Sequence, residues 1–246
     1  MNPIARFRRS LAQRGLGGTF LQAPRAAVRP LVLAMRTRRS AARAPRLLRE
    51  AAPALLHLGS GPERLPGWIN VDLYFPAELC FDLRRPLPLP DACVEAIYSQ
   101  HLVEHLVQAA GARLVRECAR VLKPGGWLRC ATPDLGQYVK LYRGELGDLD
   151  EHLVAHAGAT GRERATPADV LNDIMRAHDH LYLYDFAALA DLFTSAGLTE
   201  VYRAAPQESR CPLLCRRETR LTDVGEGPLL DLIVEGQRGD PSLRSG

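Results

Sequence analysis

Four short stretches carry residue types suited to holding a nucleoside. Gly59-Ser60-Gly61 follows an apolar run, and its glycines permit positive φ and let backbone amides approach a ligand closely. Asp72 lies thirteen residues beyond Gly59. A carboxylate at the end of a second strand can accept both hydroxyl hydrogens of a ribose. Asp82-Leu83 could read an adenine amino group, and Ser99-Gln100-His101 would stand beside the reacting centre. Each stretch alone also reads as plain turn chemistry, since loop aspartates cap turns. In this order, each at a strand end, they favour a nucleoside ligand.

Two histidine clusters could do further chemistry. In His101-x-x-Glu104-His105 the spacing i, i+3, i+4 would share one helix face. Two imidazoles and a carboxylate could then hold a metal, and the same text is the inverted zinc-peptidase signature. That signature needs a long helix, whereas here it directly follows a strand. The reading adopted is that Glu104 and His105 brace a helix start and hold no metal, with metal-assisted chemistry as the alternative. His178-Asp179-His180, with Tyr182 and Tyr184, falls between two helices. A neutral imidazole near pH 7 can take a proton from a hydroxyl or amine, which makes His101 and His180 the candidate bases. A capping and packing cluster is the competing reading of the second group. His152 and His156 are expected to be solvated.

These residues need a frame of strands to hold them. Short apolar runs ended by turn residues predict strands at Ala54–Leu58, Trp68–Asp72, Leu79–Asp82, Val94–Ser99 and Trp127–Ala131, with later ones at Thr199–Tyr202 and Leu229–Val234. Leu102–Leu122 shows helical spacing and is stopped by Lys123-Pro124-Gly125-Gly126. Further helices are expected over Pro167–His178 and Asp185–Ala196, while 144–165 reads as a polar lid or insertion. Strands alternating with helices imply a doubly wound α/β fold with a mainly parallel sheet. In such a sheet ligands bind beyond the carboxyl ends of the strands.

On these residues the chain resembles the type 11 set of class I S-adenosylmethionine-dependent methyltransferases. The matching text is Leu56-His57-Leu58-Gly59-Ser60-Gly61, Gly67–Asp72, Asp82-Leu83, Pro88–Asp91, His101–His105 and Arg116–Gly126, with a late Ala196-Gly197-Leu198. The resemblance implies a seven-stranded sheet whose last strand is antiparallel. It implies that Gly59 and Gly61 pass under the methionine moiety, that Asp72 holds the ribose, and that Asp82 with Leu83 borders the adenine. His57, Leu58, Ser60, Leu73, Ser99 and Gln100 complete the expected cofactor set. The chain departs from the pattern at His57, where an acid is usual, and at Glu63, where a third glycine is frequent. A nicotinamide enzyme is disfavoured, because Arg64 stands where G-x-G-x-x-G needs its last glycine. Related sequences imply an acceptor that is a small molecule or a sugar of a polysaccharide or secondary-metabolite pathway. The alternatives are a nucleic-acid methyltransferase and a cofactor-binding relative without turnover.

Charge is unevenly spread. Residues 1–49 hold twelve of the 32 basic residues and none of the 28 acidic ones, which leaves 20 basic against 28 acidic in 50–246. The arm, broken by Gly15, Gly17, Gly18, Pro24, Pro30 and Pro45, reads as two or three short basic helices. It suits an anionic surface or a phosphorylated substrate, or it is simply a solvated face. No apolar run reaches the ~20 residues of a membrane span. The six cysteines form no C-x-x-C pair, so a reducing, cytoplasmic setting is expected. The expected division is 1–49 basic extension, 50–236 catalytic domain and 237–246 tail.

Overall fold

The computed structural model describes residues 19–147, 149–176, 178–218 and 230–239, with side chains from residue 31 onward. The arm before Thr19 and the end of the tail lie outside the described residues. Six strands form one sheet in the order β2-β1-β3-β4-β6-β5. They are β1 (Leu55–Leu58), β2 (Ile69–Val71), β3 (Val94–Gln100), β4 (Leu122–Pro133), β5 (Leu198–Arg203) and β6 (Asp231–Arg238). The first four run parallel, and β6 is antiparallel to both β4 and β5.

The expected seventh strand, at Leu79–Asp82, shrinks to a single parallel bridge between Val71 and Leu79. The chain turns at once afterwards, with the Arg85 amide bonded to the Asp82 carbonyl at 2.9 Å. Pro86, Pro88 and Pro90 then remove the amide donors that a longer ladder would use. No helix connects β1 to β2 or β2 to β3.

Alternation divides the sheet into two faces. Leu56, Leu58, Ile69, Val71, Ile97, Leu128, Cys130, Leu232 and Val234 share the main core with helices α1 (Thr19–Glu50) and α2 (Gln108–Val121) and with α6 (Phe186–Ser195). Leu55, Ala96, Tyr98 and Trp127 face the other way, against Leu65, Trp68, Cys211 and Leu214. A third cluster joins α3 (Leu135–Tyr142) and α5 (Pro167–Arg176) through Tyr138, Leu141, Val170 and Ile174. Beside it runs α4 (Leu149–Thr160), inside the segment read as a polar lid. On it His152 is buried and His156 bonds Asp173 at 3.1 Å, so neither is the solvated histidine expected.

The basic arm differs most from expectation. Thr19–Glu50 is one continuous helix that runs through Pro24, Pro30 and Pro45. Its second half is not free: Ala44 is fully buried, and Ser40 Oγ accepts the Cys80 amide at 2.9 Å. Ala41, Leu47 and Leu48 also pack on the main core, where α1 covers a flank that has no crossover helix.

The far face is tied by charge. Arg129 on β4 is fully buried between Glu235, its register partner on β6, and Glu218 at 2.6 Å. Its guanidinium also donates to the Glu208 carbonyl at 2.7 Å, and Glu218 accepts the Gln207 amide at 2.8 Å. This network holds the irregular segment 204–218 over the sheet. Among the described residues no helix is long and apolar enough to cross a membrane.

Candidate functional site

The site assembles where the parallel strands end. After Leu58 the chain turns through Gly59 at φ 65° and Gly61 at φ 57°, a backbone region that favours glycine. A Cβ on Gly59 would stand 2.9 Å from Leu102 Cδ1, so the turn also needs glycine for space. Asp72, buried at the end of β2, ties this turn down. One carboxylate oxygen accepts the Gly61 amide at 3.0 Å, and the other accepts those of Tyr74 and Phe75 at 2.7 and 2.8 Å. Asp72 is therefore a turn brace as well as the expected ribose acceptor; the oxygen that holds Gly61 keeps a second lone pair. Ser60 Oγ is buried and has no hydrogen-bond partner among the described residues. An orphaned hydroxyl over a glycine turn fits a polar ligand seated there.

Leu73, Tyr74, Phe81 and Asp82 line a cavity of about 500 Å³ whose opposite wall is Leu33, Ala34, Thr37 and Arg38 of α1. Asp82 was expected at the adenine end and Leu73 in the cofactor set; the helix wall was not expected, and Leu83 is not among the lining residues. Asp82 is clamped by Arg84, whose Nε and Nη2 donate at 2.8 and 2.9 Å and hold its carboxyl below the usual range. Leu83, Leu58 and Ser99 are buried, with Ser99 Oγ donating to Cys130 Sγ at 3.2 Å. His57 and Gln100 both meet Tyr98. His57 Nδ1 lies 3.0 Å from Asn70 Oδ1 with its ring stacked on Tyr98, and Gln100 Oε1 accepts the Tyr98 hydroxyl at 3.0 Å.

His101-x-x-Glu104-His105 does not sit on a regular helix. His101 has φ 51°, Val103–His105 is one 3₁₀ turn, and α2 begins only at Gln108. His101 therefore leaves the face it was expected to share. Its Nδ1 lies 3.2 Å from Glu104 and its Nε2 3.5 Å from Asp231. Both carboxylates favour the imidazolium against the cost of burial, and its pKa is raised to about 10. In its place His180 joins the group: suitable ligand atoms of Glu104, His105 and His180 lie within 4.8 Å of one another. The loop that carries His180 is pinned by the Leu181 and Tyr182 amides, which donate to the Glu104 carbonyl at 2.7 and 3.2 Å. His180 Nδ1 lies 2.5 Å from the Ile174 carbonyl. A carbonyl only accepts, so Nδ1 carries the proton and Nε2 the lone pair. Burial lowers the His180 pKa and keeps the ring neutral.

Sequence reasoning missed Asp231, Thr132 and the α1 wall. Asp231 opens β6, a strand remote in sequence, and Thr132 Oγ1 donates to Glu104 Oε2 at 2.9 Å across the sheet. Neither has a local motif. The α1 wall was hidden by prolines that read as breaks.

Comparison with known proteins agrees with the residue reading. Residues 69–130 match the type 11 family model described as "Methyltransferase domain". Over 48 residues the chain is 50% identical to a "Probable S-adenosylmethionine-dependent methyltransferase" of Mycobacterium tuberculosis, a match covering 20% of this chain and 17% of that protein. A Mycolicibacterium smegmatis protein with the same description is 46% identical over 48 residues, 20% of this chain and 18% of its own. The chain thus carries a methyltransferase domain match and has S-adenosylmethionine-dependent homologues, though the matched stretch spans under a fifth of their length. A SAM-dependent methyltransferase from Archaeoglobus fulgidus superposes with a TM-score of 0.46 at 16% identity, covering 85% of this chain and 94% of that one. One from Methanosarcina mazei gives 0.44 at 14%, covering 76% and 92%. These two are remote likenesses and carry no weight of their own.

Proposed function

We propose that this chain is an S-adenosylmethionine-dependent methyltransferase that acts on a small-molecule or glycan acceptor in the cytoplasm. The observation that carries the reading is the Gly59-Ser60-Gly61 turn, braced by Asp72 and holding a buried hydroxyl that has no partner among the described residues. Gly59, Ser60 and Gly61 would hold the amino-acid end of the cofactor and Asp72 its ribose. Leu73, Asp82 and Leu83 would border the adenine. His57, Leu58, Ser99 and Gln100 would support the turn from beneath.

When bound, the cofactor supplies an electrophilic methyl group on a sulfonium. The protein's part is then positioning and exclusion of water. The 3₁₀ turn and the pinned 178–182 loop would form the acceptor side. There His180 contributes the lone pair of Nε2. His101 lies between Glu104 and Asp231, which favour its imidazolium form, and would act there as a positioning group. The arginines of α1 would meet an anionic surface or a phosphorylated acceptor.

Thermal denaturation with added nucleosides tests the cofactor. S-adenosylhomocysteine at a hundred times its Kd should stabilise the fold by about 2.7 kcal/mol, and NAD should not. Absence of any shift with either sulfur nucleoside would remove the assignment.

A further inference from the structure

We propose that Glu104, His105 and His180 form a binding site for one divalent transition-metal ion. Three features of the cluster point this way. First, its ligand atoms lie within 4.8 Å of one another. Second, two of the three groups have outer hydrogen bonds of the kind that orient metal ligands. His180 gives its Nδ1 proton to the Ile174 carbonyl and leaves Nε2 bare, while Glu104 Oε2 is steered by Thr132 Oγ1 at 2.9 Å. Third, the His105 ring makes no hydrogen bond to a described side chain or carbonyl; its neighbour is the His180 ring, at 4.8 Å between centroids.

The framework is stiff. The Glu104 carbonyl takes two amides from the loop that carries His180, so the segments bearing the ligands are tied together through one residue. Two imidazoles and one carboxylate suit Zn²⁺, Mn²⁺, Fe²⁺ or Co²⁺ and leave positions open for a further ligand, whereas Mg²⁺ prefers oxygen ligands.

Leu102, two residues before Glu104, is the side chain that a Cβ on Gly59 would meet, so the segment that carries Glu104 and His105 begins against the glycine turn. If the cofactor assignment above holds, an ion here would offer its open positions to an acceptor oxygen and lower the pKa of its O–H. His180 would then hold the ion and would not act as a base.

The site is tested without turnover. Full-length protein stripped with a chelator is titrated with Co²⁺ and Zn²⁺ by calorimetry, and the Co²⁺ visible spectrum is recorded. One ion per chain is expected, with affinity down at least tenfold in His105→Ala and His180→Ala, the loss usual for even an outer partner. His105 is only half-buried, so its variant decides the matter should His180→Ala fail to fold. No binding, or binding unchanged in His105→Ala, overturns the proposal. S-adenosylhomocysteine titrated into the same stripped samples separates the two readings. Nucleoside binding without metal binding removes the ion alone, and metal binding without nucleoside binding removes the cofactor assignment alone.

Discussion

At the residue scale, one carboxylate, that of Asp72, holds the glycine turn in place. Gly59, Gly61 and Asp72 stood out because they punctuate apolar runs, and the structure gives all three a reason. The sequence could not tell that Asp72 braces the turn itself, beside the ribose role proposed for it above. Its carboxylate accepts three backbone amides, so Asp72→Ala should cost fold stability as well as ligand affinity. Hydrogen bonds to a charged group are worth about 1.5–3 kcal/mol each. We expect the urea midpoint to fall, and S-adenosylhomocysteine affinity by calorimetry to drop at least tenfold. Loss of stability with unchanged affinity would leave Asp72 a turn brace only. The histidines were legible as candidates but not in their surroundings. His101 and His180 look alike in sequence; long-range partners separate them, Asp231 for one and the Ile174 carbonyl for the other.

At the scale of elements, strands ended by turns were readable because each is short, apolar and punctuated. The helix now seen at Leu149–Thr160 was not, because its apolar residues are spread around the axis: Leu153 packs inward while Val154 is exposed. The helix Gln108–Val121 was found, but its start was placed six residues early, since nothing local announces the left-handed backbone at His101. This helix also anchors the proline-rich stretch that follows the lone bridge at Leu79. Glu117 accepts the Leu87 amide at 2.7 Å, and Arg120 bonds Glu117 as well as the Leu87 and Leu89 carbonyls. Arg120 is the main cause of the depressed Glu117 pKa. A carboxyl depressed in the fold adds stability above its unfolded pKa, about 4.3 for glutamate. That stability is lost as pH falls through the lower folded value. Glu117→Gln should therefore lower the urea midpoint at pH 7 and narrow the gap from wild type in acid. Parallel curves for the two proteins at every pH would contradict this.

At the scale of the whole molecule, the basic helix belongs in part to the body. Ala41, Ala44, Leu47 and Leu48 pack on the core, and Ser40 pairs with Cys80. Burial of one leucine is worth about 1.5–3 kcal/mol. We therefore propose that the working boundary of the catalytic body lies nearer residue 30 than 49. A chain beginning at residue 31 should keep its melting temperature within a few degrees. One beginning at 51 should melt markedly lower or fail to fold, as circular dichroism would record. Equal melting of the two would restore the boundary at 49. The opposite face of the sheet follows a different logic. Its cover, 204–218, is irregular chain held to Arg129 by two glutamates and by carbonyls, with apolar help chiefly from Cys211 and Leu214. A helix docked by oil detaches all at once, but a strap fastened by separate polar stitches can loosen stitch by stitch. Its sequence is then free to drift between the stitches while Arg129, Glu218 and Glu235 must change together or not at all. Inheritance would leave that mark on this face: three charges travelling as a unit through a segment that otherwise varies.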